Sequence, residues 1–215
     1  MGDGSERRDQ IVVIATRLIA ARGYSATTVR DIADEAGILS GSLYHHFASK
    51  EAVLHEILHG FQHDTLSAFE RIARSGGSAR ERLDQLITHS FLTIEQRPDD
   101  VRIYQNETGF LMTQPGFEFL AEGAARIEEL WLEQIREGQA TGVFRDSIDP
   151  RLAFRFIRDA VWSTVFWFRP GGSHTAASVS EHYLDLLHHG MLIDRPEPDS
   201  PGPDSRESVG AHAAG

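Results

Sequence analysis

A chain of 215 residues, 40% hydrophobic and 25% charged, can bury a substantial core, either as one large domain or as a small domain fused to a larger one. It has no cysteine, which excludes disulfides and thiolate metal sites and suits the cytoplasm, the expected location. Its 32 acidic and 21 basic side chains give a net charge of −11, so composition offers nucleic-acid binding no help.

Charge is balanced in the first 50 residues, where six basic side chains (Arg7, Arg8, Arg17, Arg22, Arg30, Lys50) face six acidic ones. Any affinity for DNA must therefore come from a motif. Ser5 to Gln10 is polar, so no signal peptide is expected, and no apolar run approaches the roughly 18 residues of a membrane span. No membrane partner is expected.

Apolar residues recur at helical spacing almost throughout, and no stretch alternates with period two for long enough to make a sheet. The expected fold class is all-α, with about nine helices. The first, about Glu6 to Arg22, carries Ile11, Ile14, Ala15, Leu18 and Ile19 on one stripe and stops at Gly23. The second opens on Thr28-Val29-Arg30-Asp31, a capping box, and stops at Gly37. A third, Gly41 to His46, can be capped by Ser40, and Ser49-Lys50-Glu51-Ala52 begins a long fourth helix reaching about Arg74. Two short helices joined at Gly37 form a helix-turn-helix, which places its second helix in a DNA major groove. The division expected is a three-helix DNA-binding domain over 1–48, a helical domain over 49–194, and a disordered tail over 195–215. That tail is rich in Pro, Ser, Asp and Gly and has almost no large apolar group.

His55-Glu56-Ile57-Leu58-His59 satisfies the H-E-x-x-H pattern of zinc peptidases, with His63 further along the same face. The continuation to a third ligand is not met, because Gly60 follows His59 directly. No metal site and no catalytic role are expected; no phosphate loop or nucleophile elbow is present, and Glu128 and Glu129 fit a solvated helix face.

Thr27-Thr28-Val29-Arg30-Asp31-Ile32-Ala33 followed by Gly41-Ser42-Leu43-Tyr44-His45-His46-Phe47-Ala48-Ser49-Lys50-Glu51 resembles the signature of the TetR family of transcriptional regulators, over about residues 8 to 58. The resemblance implies a cytoplasmic repressor, a homodimer on palindromic operator DNA, whose C-terminal domain holds the dimer interface and a small-molecule effector pocket. It also places Tyr44 and His45 at the DNA, Thr28 near a phosphate and Lys50 on the backbone. The polar side chains of the third helix left for contact are Ser40, Ser42, Tyr44 and His45, with Gly41 allowing close approach and His46 in support. Capping alone accounts for Thr28 and Ser40 equally well.

A narrower resemblance covers nearly the whole chain. Ala36 to Phe47, Ile103-Tyr104-Gln105, Arg155-Phe156-Ile157-Arg158-Asp159 and Arg169-Pro170-Gly171-Gly172 are similar to the second group of sterol-catabolism repressors of actinobacteria. That implies an acyl-coenzyme A effector, a thioester of a bicyclic steroid-ring catabolite, and no cofactor.

Near the C-terminus, helices are expected over about Pro150 to Phe168 and Ala176 to Met191. In TetR-like proteins these two pair with their twofold mates as a four-helix bundle. Leu184, Leu187 and Met191 give the last helix an apolar seam, and Phe156 marks the facing side of its neighbour. Arg158 and Trp162 stand four apart in a largely apolar helix, on one face with Phe154 and Phe166. A guanidinium there requires an anion or water, and an indole beside it offers a flat wall and a donor. An alternative partner for Arg158 is a core carboxylate such as Glu107. Phe91, Tyr104, Gln105, Phe110 and Trp131 are the other expected pocket walls, with plain core packing as the alternative for Phe91, Phe110 and Trp131.

Overall fold

Glycine ends the first helix where expected: α1 (Asp3–Arg22) gives way to Gly23 at φ 85°, a conformation that costs any other residue steric strain. The computed structural model describes residues 3–189, and among these the chain is nine α-helices and one 3-10 helix, with no strand. After α1 come α2 (Val29–Glu35), α3 (Ser40–Leu43) and α4 (Lys50–Ala73). Then follow α5 (Ala79–Gln96), α6 (Pro98–Leu111), α7 (Glu118–Ala140), α8 (Pro150–Trp162) with a 3-10 turn at Ser163–Phe166, and α9 (Ala176–His189). Met191 and the expected tail over 195–215 lie outside the described residues.

The start signals act as the side-chain chemistry dictates. Thr28 and Asp31 close a reciprocal capping box, with Asp31 N–H donating to Thr28 Oγ1 at 3.1 Å and Thr28 N–H to Asp31 Oδ2 at 2.8 Å. Ser78 and Glu81 repeat it at α5, and Ser49 caps α4 by accepting from Ala52 N–H at 3.1 Å. Two expectations need correction. The third helix is one turn only, Ser40–Leu43, because residues 45–47 close back on Ser42 and Leu43 in a tightened turn. Its N-cap is Leu39, with no side-chain cap bond, so Ser40 lies inside the helix and does not cap it.

Two hydrophobic cores form. The first gathers Ile11, Ala15, Leu18 and Ile19 of α1, Ile32 and Ala33 of α2, Leu43 and Phe47. It does not stop at residue 48: Val53, Leu54, Ile57 and Leu58 of α4 complete it, together with Ile103, Leu111, Phe117 and Leu120 from α6 to α7. The second core takes the distal half of α4, with Phe61 and Phe69, and packs it among α5, α7, α8 and α9. Tyr104 of α6 packs against both.

His89 of α5 sits at the edge of the second core, its ring 5.9 Å from that of Phe69 in an edge-on arrangement. Burial, with Arg71 nearby, pushes its imidazole below the usual 6.5. The unfolded chain therefore takes up a proton near pH 6.5 that the folded chain refuses until lower pH, so this contribution to stability is full above 6.5 and lost as pH falls. Thermal unfolding between pH 7 and 5 is expected to show a smaller fall in midpoint for His89→Gln than for the unaltered chain; parallel falls would remove His89 from the account.

Candidate functional site

Two features sit at opposite ends of α4: the helix-turn-helix at its start and a cavity along its distal half. On the helix-turn-helix, Tyr44 is 54% exposed, His45 and Gly41 are exposed, and Ser40, Ser42 and His46 are half-buried. Leu43 and Phe47 point the other way and anchor the unit in the first core. Thr28 is committed to its capping box.

Lys50, expected on the DNA backbone, is engaged within the chain. Its Nζ donates to the carbonyls of Tyr24 at 2.8 Å and Thr27 at 2.7 Å and lies 4.1 Å from the centre of the Tyr24 ring. The α1–α2 turn exposes two carbonyls toward the start of α4, and an ammonium there satisfies both. Most other cations of this unit are also engaged internally, as Arg8 with Glu56, Arg17 with Glu35, Arg22 with Asp31 and Arg30 with Asp34.

The cavity, of about 630 Å³, lies between α4, α6, α7 and α8 and falls in the range of small-molecule sites. From α6 come Tyr104, Gln105 and Thr108; from α7, Glu128 and Trp131; from α8 and its 3-10 turn, Phe154, Arg158, Trp162 and Phe166. The side chains of Arg158 and Phe166 stand partly in solvent and mark the opening, while Phe154 and Trp131 are buried within. Arg158 pairs with its neighbour Asp159 at 2.8 Å, with its guanidinium 5.5 Å from the Phe154 ring centre. Glu107 is not its partner, since that carboxylate accepts the Tyr24 backbone N–H at 3.3 Å.

Two expected walls are elsewhere. Phe91 is buried in the second core, edge-on to Tyr183 at 5.6 Å, because α5 stands behind the cavity. Phe110 is 70% exposed, since the face of α6 that carries Tyr104, Gln105 and Thr108 turns it outward. Sequence reasoning missed the α4 wall of Phe61, Gln62, Thr65 and Phe69, and the small side chains Ala121, Ala124 and Ala125 of α7. Their signal was present: Gln62 and Thr65 interrupt an apolar helix face, and Gly123 stands amid the alanines. Gln62 donates to Tyr104 Oη at 3.0 Å and to Leu120 O at 2.9 Å, while burial pushes the Tyr104 phenol up. A Cβ on Gly123 would lie 2.4 Å from the Gln62 amide carbon, so a larger residue there would push that amide off its two hydrogen bonds.

On the outer side of α8, Leu152, Phe156, Ala160 and Trp167 are all exposed, Phe156 by 68%. Leu186 and Leu187 of α9 are exposed as well. Leu184, by contrast, packs against the second core of its own chain beside Tyr183, whose phenol burial pushes up to about 12. Of the seam expected on α9, Leu187 is exposed and Leu184 is partly buried against its own chain, with Leu186 an added exposed apolar group.

The H-E-x-x-H segment is not arranged for chemistry. Glu56 is bound by Arg8, with Nη2 to Oε2 at 3.1 Å, and that pairing holds its carboxyl below the ordinary carboxylate range. His55, His59 and His63 stack ring over ring at 5.9 and 6.3 Å, the first two against Phe119. Among the described residues no three His, Cys, Asp or Glu groups are placed to share a metal ion, and no helix is long and apolar enough to cross a membrane.

Comparison with known proteins agrees with this plan. Residues 11–57 match the family described as bacterial regulatory proteins, tetR family, and residues 76–191 match the tetracyclin repressor-like C-terminal domain. The HTH-type transcriptional repressor KstR2 of Rhodococcus jostii is 46% identical over 187 residues, which cover 87% of this chain and 92% of that protein. The structure of the ketosteroid transcriptional regulator KstR2 of Mycobacterium tuberculosis superposes with a TM-score of 0.83 at 42% identity, covering 87% of this chain and 96% of that one. AibR in complex with isovaleryl coenzyme A and operator DNA shares the fold, with a TM-score of 0.76 at 22% identity over 85% of this chain and 98% of that one.

Lys50→Met keeps the aliphatic stem and removes the donor from two carbonyls. The variant is expected to unfold with about 1–3 kcal/mol less free energy in urea titrations. Unchanged stability would mean that the ammonium holds nothing there.

Proposed function

Because the chain belongs to the TetR family of transcriptional regulators, which are not enzymes, we propose that it represses transcription as a homodimer on a palindromic operator and releases DNA on binding an acyl-coenzyme A thioester of a bicyclic steroid-ring catabolite. The observation that carries this reading is the placement of the cavity against α4, the helix whose first turn abuts the helix-turn-helix. A ligand between Phe61 to Phe69 and α8 acts on the same rigid rod that positions Tyr44 and His45. Filling the cavity then favours an arrangement in which the two recognition helices no longer match successive grooves, and each ligand weakens the other by the same factor.

The cavity suits the acyl part. Its volume of about 630 Å³ accommodates a ring system, leaving the nucleotide to emerge past the opening, where the half-exposed Arg158 guanidinium offers an anion partner and Trp162 a flat wall. The ketosteroid regulators of the same fold support a steroid-derived acyl group, and AibR supports a thioester as the ligand class. The DNA-facing set is Thr28, Ser40, Gly41, Ser42, Tyr44 and His45, with Lys50 acting through the turn it holds.

Operator complexes titrated with a panel of acyl-coenzyme A esters and the matching free acids test the effector. The bicyclic thioester is expected to release DNA from the unaltered protein and to need at least tenfold higher concentration with Arg158→Met or Trp162→Ala. Equal response of the variants removes those residues from the site, and release by free acids alone removes the coenzyme A assignment.

The exposed apolar face of α8 and α9 is the proposed isologous interface. Phe156→Glu is expected to sediment as a monomer and to lose operator retardation. A Phe156→Glu dimer would move the interface elsewhere, and an unaltered chain that is monomeric yet binds tightly would overturn the dimer.

A further inference from the structure

Leu39 is 80% exposed, the most exposed large apolar side chain among the described residues, and it occupies the N-cap of α3. Its backbone carbonyl does the local work, accepting from Ser42 N–H at 2.8 Å, while its side chain supplies no cap bond in a position that favours Ser, Thr, Asp or Asn. Two residues on stands Gly41, also without an internal reason. Its φ is not positive, and a Cβ built there meets nothing within 4 Å, so alanine would fit and would favour the helix. The folded chain on its own gains from neither residue. Both make sense if an outside surface comes close to the start of α3, within reach of the apolar side chain.

Resting on the operator-binding reading above, we infer that Leu39 reads the 5-methyl group of a thymine in each half-site and that Gly41 lets the DNA come near enough for it to do so. The N-terminal residues of a recognition helix are the ones that meet base edges. Leucine cannot hydrogen-bond an edge or a phosphate, and among the four bases only thymine presents an apolar group in the major groove. Leu39 thus supplies discrimination that the neighbouring hydroxyls of Ser40 and Ser42, able to serve several bases, do not.

The test uses the full chain and an operator selected from random duplexes. Each thymine is replaced singly by deoxyuridine, which removes only the methyl, and affinity is measured for the unaltered protein and for Leu39→Ala. One thymine per half-site is expected to lose about fourfold on methyl removal with the unaltered protein, the worth of one buried methyl, and nothing with Leu39→Ala. All other thymines should respond alike in both proteins. Gly41→Ala is expected to weaken operator binding with a melting temperature unchanged or raised. Identical deoxyuridine profiles for the unaltered protein and Leu39→Ala overturn the inference while leaving operator binding intact, as they would if this patch served another protein. Failure of the unaltered chain to select any duplex overturns the operator reading and this inference together.

Discussion

Helix α4 has to satisfy two hydrophobic cores at once, and the rest of the molecule is arranged around that demand. Val53, Leu54, Ile57 and Leu58 are held by α1 to α3, and Phe61 and Phe69 by α5 and α7. Its 24 residues make one continuous helix about 36 Å long that contains no proline. Gly60 lies between the two sets of anchors in regular helical conformation. Gln62 and Thr65 of the cavity wall thus stand one to two turns along the same helix from Ile57 and Leu58, which seat the helix-turn-helix.

The α1–α2 turn is where this rod and α6 meet. Lys50 of α4 holds the Tyr24 carbonyl, and Glu107 of α6 accepts the Tyr24 N–H, so the two peptide groups flanking one residue are each gripped by a different helix. Three residues before Glu107, Tyr104 lines the cavity and bonds to Gln62. Helix α6 therefore carries a cavity-facing group and a turn-holding group within a single turn of each other, beside the connection through α4.

Electrostatics plays a lesser part than a DNA regulator suggests. The cations of the N-terminal unit are spent on exposed pairs such as Arg17 with Glu35 and Arg30 with Asp34. Such pairs are worth roughly 0–1 kcal/mol in water, so a phosphate can displace the carboxylate at little cost. The net charge of −11 over the chain supplies no bulk attraction to DNA.

The amino-acid sequence alone determined the helical class, the punctuation of the elements and the motif. Gly23, Gly37, the Thr28–Asp31 box and the Ser49 cap are local signals, each acting through its own backbone within a turn or two, and the TetR-like segment rests on them. It also singled out Arg158, Trp162, Tyr104, Gln105 and Trp131, since a polar or aromatic group on an apolar face is visible in helical periodicity. Only the tertiary structure decided what those faces meet. Periodicity gives a residue's angle around its helix but not the neighbour across from it, so Phe91 and Phe110 could not be sorted from the side chains that line the cavity. That Lys50 holds the α1–α2 turn is likewise invisible until the fold brings Tyr24 and Thr27, more than twenty residues away in the chain, to its ammonium.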